Sequence, residues 1–140
     1  KLDYVIAGVH SQMKMPKTQM TERIIKAMKN SQVDIISHPT GRSLGKRDEY
    51  AHDFDKILRA AKEFRVVLEI NGSPWRLDLK DSNIRRAKTA GVKMIINTDS
   101  HHKEHLQFMK YGLSQARRGW AEKTDIINAW PLEKLLKFFN

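Results

Sequence analysis

Four short, almost wholly apolar runs alternate with helical stretches along this chain, and that rhythm leaves few folds open. The runs lie at residues 3–9, 33–37, 65–70 and 92–97. Short and rich in Val and Ile, they read as strands buried on both faces. Between them, Pro16 to Asn30 reads as a helix started by Pro16 or Thr18, with Met20, Ile24, Ile25 and Met28 near helical spacing. His52 to Glu63 places Phe54, Ile57, Leu58 and Ala61 on one face. Asp81 or Ser82 caps a helix to Ala90, and Gly91 supplies its left-handed stop. Three consecutive βαβ units result, and such units pack right-handed into a parallel sheet, so the fold class is α/β. Beyond residue 97 the rhythm breaks. Segments 103–110 and 113–118 read as short helices, and Pro131 to Phe139 as a terminal helix with Leu132, Leu135, Leu136 and Phe139 on one stripe.

In a parallel sheet, residues just past the strand carboxyl ends emerge on one rim, where α/β barrels keep their catalytic groups. His10, His38 and the pair Asp99-x-His101 all stand at such positions. Their mixed nitrogen and oxygen donors suit zinc, manganese or iron. Asp99 and His101, one residue apart in an extended segment, are expected on the same side. The alternative is a set of hydrogen-bonded loop histidines; three imidazoles and an acid at equivalent strand ends favour the metal. His102 and His105 read as solvent-facing, and His52 as capping or decorating its helix.

Other residues near the rim leave two readings open. Arg42, after the turn Pro39-Thr40-Gly41, can hold a phosphate oxygen bidentately or serve as an ordinary surface arginine. Glu69 faces away from its neighbours Leu68 and Ile70, and a carboxylate there needs a metal, an arginine or a water network. Arg76 and Asp78 flank the rim, either as substrate-contacting groups or as a mutual salt bridge. Arg117-Arg118-Gly119-Trp120 pairs basic with aromatic side chains, which suits a nucleic-acid backbone or bases, or packs as a tail with Trp120 in the core.

Composition narrows the function classes. The formal net charge of +10 attracts polyanions, which favours DNA or another phosphate-bearing ligand over a merely solubilising surface. The chain has no cysteine, which rules out disulfides, thiolate metal sites and cysteine nucleophiles and suits a cytoplasmic location. No apolar run approaches the ~20 residues of a membrane span. No phosphate-cradling glycine loop, serine elbow or dinucleotide fingerprint occurs.

Five segments together carry a family resemblance: Gly8-Val9-His10-Ser11, Ile36 through Arg42, Leu68-Glu69-Ile70-Asn71, Arg76-Leu77-Asp78-Leu79 and Asn97 through His101. They resemble the PHP (polymerase and histidinol phosphatase) superfamily, most closely the C-terminal PHP domain of bacterial and archaeal family-X DNA polymerases. The stretch Tyr111 to Trp120 is similar to that subgroup's ending. The resemblance implies a distorted seven-stranded β/α barrel holding up to three divalent ions, and phosphoesterase chemistry of the 3′-5′ exonuclease or DNA-end-processing kind. It implies His10 and His38 as ligands of one ion, Asp99 of a second and His101 of a third, with Arg42 near the phosphate and Glu69 near the barrel mouth. The family's opening His-x-His pair does not occur in this sequence. Residues 1–140 are therefore expected to be the second half of a PHP domain, four strands of seven, with partial metal occupancy and weak activity alone. An unpaired strand edge is then expected to pair with the missing half, beside the polymerase core, or with another copy. Two alternatives are a stand-alone phosphatase for a small phosphorylated metabolite and a non-catalytic, basic DNA-binding module.

Overall fold

A computed structural model describes residues 2–139. The sheet has four parallel strands in sequential order: β1 (Ile6–Ala7), β2 (Ile35–Ile36), β3 (Val67–Asn71) and β4 (Met94–Asn97). Ile6, Ile35 and Val67 stand in one row, and Glu69 pairs with Ile95 in the register of β3 and β4. The strands are shorter than their apolar runs because the ladder ends where the chain leaves for the rim. His38 already has a left-handed φ of 31° two residues past β2. Three helices connect the strands, α1 (Lys17–Met28), α2 (Phe54–Glu63) and α3 (Asp81–Ala90).

Each helix forms for a local reason. In α1, Met20, Ile24 and Met28 recur every four residues and are all buried. Asp53, not His52, caps α2, its carboxylate accepting from the Lys56 amide at 3.0 Å. His52 instead sets its Nδ1 2.6 Å from the Tyr50 carbonyl oxygen. Lys80 precedes α3 without a capping side-chain bond, so Asp81 is its first residue rather than its cap; Gly91 closes the helix at φ 74°. After β4 comes a 3₁₀ helix at Lys103–Phe108, running directly into α4 (Met109–Arg118), where the sequence suggests two separated short helices. The last helix, α5, spans Leu132–Phe139.

The two faces of the sheet are buried differently. Ile36, Leu68, Ile70, Met94 and Ile96 join Met20, Ile24, Ile57, Leu58, Ile84 and Ala116 in the main core beneath α1 to α4. Ile35, Val67 and Ile95 face the other way, against Ile127, Trp130, Leu135, Phe138 and Phe139. The chain's end thus folds back over that second face.

The sheet edges differ as well. Along β4 the Met94 amide donates to the Asp125 carbonyl, and the Asn128 side chain bonds both the amide (3.2 Å) and the carbonyl (2.8 Å) of Ile96. One carboxamide thus substitutes for a strand partner. At the opposite edge β1 pairs, among the described residues, only with β2, and Tyr4 and Ile6 remain exposed. Among the described residues, no helix is long and apolar enough to cross a membrane.

Leu68 is wholly buried in β3 at the centre of the main core. Leu68→Ala is expected to lower unfolding stability by about 2–5 kcal/mol, whereas Leu132→Ala, at an exposed position, changes it by about 0.5 kcal/mol or less. Urea denaturation of both variants checks the difference.

Candidate metal and phosphate site

Parallel strands deliver four loops to one rim, and the side chains there are tied across those loops. Glu69 is the centre of the arrangement. It is 4% exposed, and its Oε2 accepts from the His38 amide at 2.7 Å and from the Asn71 carboxamide at 3.1 Å. Its Oε1 accepts from the Asn97 carboxamide at 2.9 Å. The partners are therefore two amide side chains and a backbone N–H, in place of the metal, arginine or water network that the sequence suggests. Burial raises the pKa of Glu69 above the usual carboxylate range, and the bonds from Asn97, His38 and Asn71 oppose it.

The bond to its amide holds His38 in the left-handed backbone region, where a residue other than glycine costs of order 1–3 kcal/mol. The imidazole is buried and lies edge-on to His10, with ring centroids 5.0 Å apart. Both rings rest over Gly8: a Cβ there would come within 2.9 Å of His10 Nε2 and 3.1 Å of a His38 ring carbon. Burial, reinforced by Arg76 and then His10 against the opposing charge of Asp99, pulls the His38 pKa from 6.5 to about 4. The ring is therefore neutral at pH 7, the state a metal ligand requires. Its Nδ1 is buried without a hydrogen-bond partner.

Asp99 lies on the same rim at φ 52°, so the segment to His101 is not the extended one expected. The carboxylate pairs with Arg76 Nε at 2.9 Å. Burial pulls its pKa up, but the Asn71 amide and the charges of Arg76 and His38 together hold it below the usual range. His101 is exposed and turns its Nδ1 to the Asp99 carbonyl oxygen at 2.8 Å. One further nitrogen of Arg76, Nη1, is buried without a partner.

Arg42 and Asp78 shape this rim from behind. Arg42 donates from Nε to the Arg76 carbonyl at 2.8 Å and from Nη2 to the Leu77 carbonyl, so these donors fasten the loop that carries Arg76. Asp78 makes no salt bridge with Arg76. It is wholly buried and accepts from the Thr40 amide and hydroxyl. Burial raises its pKa from 3.8 to about 7, against the Thr40 bonds and the charge of Arg42. The basic tail lies apart from these groups. Arg118 grips Asp81, Arg117 is exposed, and Trp120 is 64% exposed rather than core, with the Arg85 guanidinium 3.1 Å from its ring centroid.

Two imidazoles over a glycine, one with an orphaned nitrogen, have the chemistry that could ligate a divalent ion. Asp99 is held by Arg76, and among the described residues no group of three His, Cys, Asp or Glu side chains assembles. Asn71 and Asn97, which lock Glu69, escape sequence reasoning because an asparagine at a strand's end carries no sign of the partner it will meet.

No family model matches the chain. It is 40% identical over 138 residues, 99% of its length, to the DNA polymerase/3′-5′ exonuclease PolX of Bacillus subtilis, of which it spans 24%. It is 38% identical over 110 residues, 72% of its length, to a probable phosphatase of Thermoanaerobacter pseudethanolicus, of which it spans 42%. A probable phosphatase of Shewanella oneidensis is 32% identical over 109 residues, covering 72% of this chain and 41% of that protein. The chain thus spans less than half the length of each of these relatives.

The raised pKa of Asp78 has a definite sign. The folded state binds its proton more tightly than the unfolded chain, so this stabilisation is complete at low pH and fades between about pH 4 and 7. His38, with a lowered pKa, contributes oppositely between about pH 4 and 6.5. Comparing Asp78→Asn with the parent isolates the Asp78 contribution. The variant is expected to gain about 4 kcal/mol on the parent from pH 4 to pH 8, read by urea unfolding at each pH.

Proposed function

Because the chain belongs to the PHP superfamily, we propose that it forms part of a divalent-metal-dependent phosphoesterase acting on the 3′ end of a DNA strand. The observation that carries this reading is the neutral, buried imidazole of His38, its Nδ1 unpartnered, set edge-on to His10 over Gly8 on the strand-end rim. In this reading His10 and His38 hold zinc, manganese or iron, with Asp99 and His101 as further ligands once Asp99 is released from Arg76. The metal, when bound, supplies Lewis-acid polarisation of a phosphoryl oxygen and activation of water.

The chain's own groups prepare that chemistry. Glu69 holds the His38 backbone, which aims the ring. Arg76 brings a guanidinium with a spare buried nitrogen to the place where phosphoryl charge would sit. Arg42, bonded to the Arg76 and Leu77 carbonyls, is a positioning residue for that guanidinium. The DNA preference draws on the +10 charge, on exposed Arg117 and Arg118, and on likeness to a relative named as a DNA polymerase and exonuclease.

A small phosphorylated metabolite is the second reading, favoured by likeness to several probable phosphatases over 72% of the chain. In either case we place the chain as the later portion of a PHP barrel. The exposed edge of β1 is then where the remaining strands, or a second copy, pair.

Zinc or manganese titrated into the chain is expected to bind, and His38→Ala to weaken binding by at least the roughly 10- to 100-fold that loss of a supporting group costs. Hydrolysis of a 3′-end-labelled oligonucleotide, compared with a sugar phosphate, should fall in step. Salt-sensitive DNA binding that survives His38→Ala and Asp99→Ala, with no divalent ion bound at all, would leave only a binding module.

A further inference from the structure

Beside the charged rim stands a row of rings that the phosphoester chemistry does not use. Trp75, the residue before Arg76, is 54% exposed. Its ring centroid lies 5.7 Å from that of His105 and 5.5 Å from that of Phe108, at interplanar angles of 62° and 85°. Neither neighbour lies flat against it. His105 and Phe108 stack on each other at 4.9 Å, and Tyr111, itself 38% exposed, continues the row 6.1 Å beyond Phe108.

The fold builds this row deliberately close to the rim. Gly72, just after β3, lets the start of α4 approach so tightly that a Cβ there would fall 2.7 Å from the Phe108 carbonyl oxygen and 3.0 Å from the Gly112 nitrogen. That contact brings Phe108 alongside Trp75. A turn in which the Arg76 and Leu77 amides both donate to Ser73 holds the Trp75 backbone, and the Leu44 amide donates to the Trp75 carbonyl at 2.7 Å. The side chain that follows in sequence is the Arg76 guanidinium on Asp99.

Exposing so large an apolar ring on a rigid loop, next to an ionic site, is costly unless something covers it. The other markedly exposed tryptophan, Trp120, already has the Arg85 guanidinium over its ring. Among the described residues no cation lies over Trp75. A flat, apolar group joined to an anion fits both features at once. In a chain of net charge +10, a nucleobase and its phosphate match that description.

We propose that Trp75, backed by His105, Phe108 and Tyr111, stacks an unpaired nucleobase of a single-stranded end whose phosphate lies at the His38–Arg76 rim. This rests on the phosphoesterase reading for the phosphate's place, while the stacking is measurable without any turnover. It makes Trp75 the residue that separates strand ends from small sugar phosphates.

The test uses the full chain and two oligonucleotides that differ at the 3′ end, one with 2-aminopurine and one abasic. Binding to the parent should quench 2-aminopurine fluorescence. Trp75→Ala should remove the quenching and weaken binding of the base-bearing oligonucleotide by roughly 5- to 150-fold, the range carried by one base stacked on an aromatic ring. Affinity for the abasic oligonucleotide should not change, and Trp75→Phe should restore part of the loss. Circular dichroism checks folding; if Trp75→Ala is unfolded, Trp75→Leu is judged by the same criterion. Equal affinities of parent and variant for the base-bearing end, with quenching intact, overturn the proposal. Quenching that depends on Trp75, with no divalent ion bound in a zinc or manganese titration, upholds the stacking and overturns the metal-dependent phosphoesterase reading instead.

Discussion

A carboxylate buried in a central strand determines how the rim is put together. Glu69 cannot leave its oxygens bare inside the sheet, because a buried carboxyl group without hydrogen-bond partners is costly whether charged or neutral. It meets that demand with the His38 amide and the carboxamides of Asn71 and Asn97, which come from three different strand ends. The one bond that the His38 amide donates, worth about 1–3 kcal/mol, is comparable with the cost of its left-handed conformation and helps to hold it there. The rim geometry is thus a consequence of satisfying one acid.

Electrostatics then sorts the rim into neutral and charged zones. His38 is kept neutral first by burial and then by the nearby guanidinium of Arg76, while the Asn71 bond and the same guanidinium hold the Asp99 pKa below the usual range. One arginine therefore acts on both groups, and its backbone is fastened in turn by Arg42. Behind the rim, Tyr50 donates to the Pro39 carbonyl at 2.6 Å with its ring packed over Gly41, where a Cβ would collide with a Tyr50 ring carbon. The 38–42 loop is consequently held from both sides, by Tyr50 and by the Thr40–Asp78 bonds.

The sheet itself shows two edges treated in opposite ways. Asn128 completes the hydrogen bonding of Ile96 and closes the β4 side, whereas β1 offers its backbone and the side chains of Tyr4 and Ile6 outward. Tyr4 also stacks on Phe139 at 5.4 Å, so the terminal helix reaches across the second face to this edge. Aligning with 24% of a polymerase and about two fifths of the phosphatases, the chain has its own core and a partly furnished rim.

By itself the sequence determined the α/β class, the four parallel strands alternating with helices, and the placing of His10, His38, Arg76 and Asp99 on one rim, because period and strand-end position are local properties. The sequence also marked helices at nearly their true extents, through the Met20-Ile24-Met28 and Phe54-Ile57-Leu58-Ala61 patterns and the stop at Gly91. It could not assign partners. That Arg76 pairs with Asp99 and not with Asp78, and that Arg42 binds the carbonyls of Arg76 and Leu77, depended on loops far apart in the chain meeting. Glu69 shows the same limit, since its need for partners was evident but the two asparagines that answer it were not. Only the tertiary structure decided these pairings, because a hydrogen bond is chosen by which donors the packed strands bring within about 3 Å, and residue spacing carries no record of that distance.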